Sequence, residues 1–95
     1  MTDLSRFPGG DLVAKGLADL QSGLISEEAL LVLVAKTRLR GLGLHVAEAP
    51  QVQPLYEHRL YEAIESRNPE GAHSEYNAMI RRLVSFAEAY ESLGC

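Results

Sequence analysis

The side chains best suited to chemistry cluster in the second half of the sequence. His58 and Glu62 stand one helical turn apart with Glu65 on the same side, and Glu70-x-x-His73 has the spacing at which a carboxylate and an imidazole project together from one helix. Di-metal carboxylate bundles need two such motifs plus two further carboxylates. One Glu-x-x-His is present here, so His58, Glu62, Glu65, Glu70 and His73 would form a metal centre only if a symmetric dimer doubled them. Gly71 interrupts the motif just after Pro69, and His58 lies opposite the apolar stripe of its helix. A solvated helix face is therefore the reading kept, with no metal or other cofactor expected. Nucleophilic catalysis needs Ser or Cys beside a His and an orienting acid. The single cysteine, Cys95, is the last residue, and no Gly-x-Ser-x-Gly elbow occurs. Gly41 and Gly43 are not followed by the helix start that a phosphate-cradling loop requires.

A second pattern overlaps the first. In Arg67-Asn68-Pro69-Glu70-Gly71-Ala72-His73 an arginine precedes a histidine across an interhelical stretch. The segment resembles the Arg…His signature of the HEPN family of helical nucleases, dimers in which that pair cleaves RNA without a metal. The resemblance implies Arg67 and His73 as a catalytic pair and makes a helical-bundle hydrolase, HEPN-like or metal-dependent, the alternative functional reading. Composition argues the other way: a net charge of −4 and a pI near 5.3 lack the basic excess of a nucleic-acid binder.

Positioning these residues falls to helices, and the sequence is organised around residues 26–40, SEEALLVLVAKTRLR. At about 100° per residue the apolar centre, residues 29–35, points in every direction, so no face is left for water. Ser26 is a good N-cap, Glu27 and Glu28 sit in the first turn, Lys36, Arg38 and Arg40 in the last, and Gly41 offers a C-terminal stop. Before it, Asp11 caps a helix to about Ser22 whose stripe is Val13, Leu17, Leu20 and Leu24; Gly16 beside that stripe either lets another backbone approach or is a tolerated glycine costing roughly 1 kcal/mol of helix propensity. Residues 1–10 read as a tail in which Phe7 plugs back onto the domain. The hairpin LADLQSGLISEEALL resembles the helical pair of short C-terminal domains appended to many bacterial proteins, which implies an antiparallel pair.

Residues 41–53, GLGLHVAEAPQVQ, have no helical period and predict a packed crossover with Leu42, Leu44 and Val46 on the core. Pro54 suits the N1 position of a third helix to about Arg67, with Tyr56, Leu60, Ala63 and Ile64 inward. Asn68-Pro69 breaks the chain. A last helix then runs to Leu93 with Tyr76, Met79, Ile80, Leu83, Phe86, Ala87 and Tyr90 at spacings of three and four.

The expectation is one all-α domain over residues 11–95, four-helix bundle-like, with a long crossover loop between helices 2 and 3. A chain of 95 residues leaves much of its surface exposed, so a helix greasy on every side predicts help from a second copy. The functional expectation is a small interaction or regulatory protein that forms a homodimer, with a further protein partner possible. Leu31, Val34, Tyr61, Tyr76 and Arg81 are its contact candidates, tyrosine because it joins apolar area to a polar tip. Neither a secretory signal nor a span of ~20 apolar residues is visible, which gives a cytoplasmic, non-membrane expectation.

Overall fold

In the computed structural model, which describes residues 4–52 and 55–93, five helices follow one another and no strand occurs among the described residues. They are α1 (Gly10–Gln21), α2 (Glu27–Val34), α3 (Lys36–Gly41), α4 (Tyr56–Arg67) and α5 (Ala72–Leu93). A single 3-10 turn, Leu4–Arg6, precedes them. The protein is all-α, as its helical periodicities require. No described helix is long and apolar enough to cross a membrane.

The middle rod is enclosed, but by its own chain. Ala29, Leu30, Leu31, Val32 and Leu33 are all buried, with Leu31 and Val32 fully so, because α1, α4 and α5 pack around α2 from three sides. This corrects the expectation that one small chain could not cover it. Leu31 is accordingly a core residue with no surface to offer a partner, and Val34 is half-buried. Close approach of α1 depends on Gly16: a Cβ there would sit 2.4 Å from the Glu28 carbonyl oxygen and 2.5 Å from Val32 Cγ2. Ser26 caps α2 as its position demands, its hydroxyl accepting from the Ala29 amide at 3.1 Å and donating to Asp19 of α1 at 2.6 Å. Lys15 and then Ser26 hydrogen-bond the Asp19 carboxylate and hold it below the usual aspartate range.

Residues 26–40 do not form one helix. The backbone leaves helical geometry at Ala35 (φ −106°, ψ 19°), and α3 starts afresh beyond it. The break re-aims the basic end so that Leu39 is fully enclosed while Arg38 and Arg40 remain outside. Neither proline nor glycine marks the kink, so it is set by packing and not by a local signal. The helical stop also differs. Gly41 is the last helical residue, and Gly43 (φ 93°) takes the left-handed position, with its amide on the Arg40 carbonyl at 3.0 Å and the Leu44 amide on Leu39 at 3.1 Å. That pair of bonds is a Schellman motif, which requires the positive-φ residue one step past the C-cap. Gly23 ends α1 in the same way, with Leu24 bonding back to Asp19 at 2.8 Å.

At the front of α1, Gly9 (φ 71°) and not Asp11 is the N-cap, and Asp11 lies inside the first turn. Gly9 is required twice over, since a Cβ there would also fall 2.3 Å from the Arg82 carbonyl oxygen. This seating brings Phe7 onto α5, edge-on to Phe86 (centroids 5.8 Å) and tilted on Tyr90 (5.4 Å), the plug that its apolar ring predicts. Leu24 leaves the α1 stripe and is 56% exposed. The crossover, residues 42–52, is packed through Val46 and Ala49, with Leu42 and Leu44 half-buried. Arg40 pins it by donating to the Val46 carbonyl at 2.9 Å and to Glu48 at 2.9 Å. Pro54 lies outside the described residues, as does Cys95; Leu55 stands before α4 in left-handed geometry (φ 76°, ψ 53°).

Candidate functional site

Two surface grooves gather the polar residues of interest. The first, about 660 Å3, runs between the start of α2, the end of α4 and the flank of α5, over Leu12, Ala78 and Met79. Its polar wall is an ionic clip. Arg67, the last residue of α4, grips Glu27 of α2 with two parallel bonds, Nε to Oε2 at 2.9 Å and Nη2 to Oε1 at 2.8 Å, and also donates to Glu75 in the first turn of α5. The sequence produces this locally: Glu27 lies in the first turn behind the Ser26 cap, and Asn68 accepts from the Gly71 amide at 3.2 Å, folding the turn that brings Glu75 back to Arg67. Arg67 hydrogen bonds, then Asn68, hold the Glu75 carboxyl below the usual glutamate range, and the two glutamates raise Arg67 further above its ordinary value.

This arrangement decides what Arg67 can do. Its donors are spent on two carboxylates, and those carboxylates repel a phosphate that would approach the guanidinium. His73 lies exposed in the first turn of α5 and meets Asn77, Nε2 to Nδ2 at 3.2 Å. Residues 68–71 between the two are turn, so Arg67 and His73 belong to different helices.

The metal-ligand candidates are likewise dispersed. His58 meets Glu62 at 3.4 Å on the exposed side of α4, and Glu65 and Glu70 are exposed. Among the described residues no three His, Cys, Asp or Glu side chains gather as a metal site would require. The single Glu-x-x-His motif, with Gly71 inside it and Pro69 just before it, does not project from one helix, because α5 begins only at Ala72.

No protein-family model matches this chain, and neither a curated protein nor a solved structure is significantly similar.

The interface candidates divide. Tyr61 and Tyr76 are half-buried and pack edge-on at 5.6 Å, tying α4 to α5, and burial, with Glu57 nearby, raises the Tyr76 hydroxyl. Arg81 is exposed on the outer face of α5. The second groove, about 650 Å3, has an apolar floor of Ile25, Leu30, Val52 and Ala63 and a polar rim of Gln51, Arg59 and Glu62. Beside it in the chain stand Leu24, before Ile25, and Leu55, which is 73% exposed. Sequence reasoning missed this surface. Its signal was faint: Leu55, Arg59, Glu62, Ala63 and Ser66 recur at helical spacing, but their mixed polarity reads as ordinary solvated helix.

Proposed function

We propose that this protein is a small helical interaction module that associates with a second copy of itself and acts through that association without catalysing a reaction. One observation carries the reading: the apolar-floored groove formed by Ile25, Leu30, Val52 and Ala63, flanked in sequence by exposed Leu24 and Leu55. A leucine held in left-handed geometry and left in water is costly twice, by roughly 1–2 kcal/mol of backbone strain and by the apolar area it wets. Such strain is characteristic of binding surfaces, where the surrounding structure holds a residue for a partner. Covering what remains exposed of each leucine would stabilise the complex by about 1–2 kcal/mol before the cost of association. The module reading assigns the ionic clip of Arg67 a structural role, joining the ends of three helices. Sedimentation velocity over roughly 10–500 μM tests the proposal, since this range brackets weak self-association. A rising weight-average mass is the expected result, and a monomer throughout would overturn it.

A further inference from the structure

The glycines of α1 set the length of the first groove. Gly9, the N-cap, meets the Arg82 backbone of α5, and Gly16 meets the Glu28 backbone of α2, so closely that a Cβ would fall 2.3 Å and 2.4 Å from the respective carbonyl oxygens. At 1.5 Å per residue those two contacts stand roughly 10 Å apart along α1, which places the Arg82 and Glu28 backbones toward opposite ends of the groove that both residues line. The floor is apolar, made by Leu12, Ala78 and Met79.

The charges lining this groove are not equally spent. Arg67 is held by Glu27 and Glu75. Arg82, by contrast, is exposed and makes no hydrogen bond or ion pair among the described residues. Glu28, its side chain only 25% exposed, meets Lys15 Nζ at 3.6 Å, too far for a hydrogen bond, because that ammonium donates to Asp19 at 2.7 Å. An uncommitted cation and an underused anion therefore stand apart over an apolar floor. We propose that the groove binds an apolar dipeptide with free termini, its ammonium on Glu28, its carboxylate on Arg82 and its side chains on Leu12 and Met79. Two extended residues span about 7 Å, and a charge-assisted hydrogen bond of about 2.8 Å at either end extends the reach to roughly 12–13 Å, which matches the groove within the swing of two long side chains. A single amino acid carries both charges on one carbon and cannot meet both ends. The volume of about 660 Å3 suits a small organic ligand, and Met79, unbranched and adaptable, accommodates side chains of different shape. Such binding needs no second copy, so it stands or falls apart from self-association.

Amide NMR titration of the full chain with the dipeptide Leu-Leu tests the proposal, and the spectra report at the same time that each variant is folded. Leu-Leu is expected to bind with a Kd below about 1 mM at low salt, and blocking either terminus, as N-acetyl-Leu-Leu or Leu-Leu-amide, weakens it about tenfold. Arg82→Gln weakens Leu-Leu about tenfold yet leaves Leu-Leu-amide, which has no carboxylate, within about twofold of its affinity for the wild type. Glu28→Gln does the same with N-acetyl-Leu-Leu in place of the amide. Three results overturn the proposal: no shift at about 10 mM Leu-Leu, N-acetyl-Leu-Leu bound as tightly as Leu-Leu, or a variant that loses free and blocked ligands alike. The second of these would make the groove a site for the carboxyl end of a longer chain.

Discussion

Replacing Gly16 by alanine sets two effects of opposite sign against each other. By helix propensity alone the change stabilises, by about 1 kcal/mol, since Gly16 is inside α1. Packing opposes it. The new Cβ would stand 2.4 Å from the Glu28 carbonyl oxygen, where ordinary contact begins at 3.4 Å, so α2 must retreat by 1.0 Å. Neither neighbour yields easily: one is backbone, and the other, Val32, is fully buried. Overpacking of this kind costs typically 1–3 kcal/mol, and a gap of that size forfeits a quarter to a half of the dispersion energy of each contact it opens. Several such contacts line α1 and α2, so packing wins and Gly16→Ala destabilises by about 1–2 kcal/mol, a fall in Tm of roughly 5–15 °C for a domain of this size. Urea unfolding followed by circular dichroism measures it. Gly41→Ala is the internal control: it is helical, nothing lies within 4 Å of its Cβ, and it should gain about 0.5–1 kcal/mol. If Gly16→Ala also gains stability, the close approach of α1 and α2 is not what the glycine is for.

Phe7→Ala, which deletes the contacts with Phe86 and Tyr90, lowers stability by about 1–2 kcal/mol, less than a fully buried ring because Phe7 is half-buried; thermal melts check it. Ser26→Ala removes the α2 cap and its bond to Asp19 and costs about 1 kcal/mol of unfolding free energy, seen as a lower urea midpoint, whereas Ser26→Asn retains most of the capping. Glu75 has a folded-state pKa below the ordinary 4.5, because of Arg67 first and Asn68 second. Its contribution is therefore fully present above pH 4.5 and is lost as pH falls through the depressed value, so Glu75→Gln makes the acid limb of an unfolding-versus-pH curve shallower. An unchanged limb would refute the clip's role.

What could be read from the sequence is what short-range chemistry decides. The Ser26 cap, the Asn68-Pro69 break and the apolar stripe of α5 each depend on residues within one or two turns, whereas Gly16 could be read as a close approach or as a tolerated glycine until the position of α2 decided it. The kink at Ala35 depends on where Leu39 can be enclosed, and no residue near it announces that. Glycine identity was legible at the end of α3, but which of Gly41 and Gly43 turns left-handed was not, since that is settled by the register of the Leu44–Leu39 bond. Candidate chemistry fared similarly. The pattern of Arg67 and His73 was visible, yet the group that occupies Arg67 is Glu27, distant in sequence and brought there by the packing of α4 on α2.

The apolar rod shows how length enters such reasoning. Eight helical residues of α2 span only about 12 Å, whereas α1 and α4 each run 12 residues and α5 runs 22. Three longer helices can cover a short one completely even in a small domain, provided one of them approaches at backbone distance, which Gly16 permits. An all-round apolar segment therefore demands three neighbours and says nothing of whether they belong to another chain. Pressure toward association must be sought in what the packing leaves outside. Among the described residues that is Val84 on α5 and, more fully exposed, Leu24 and Leu55, the last two outside the helices proper, at a Schellman turn and at a strained N-cap.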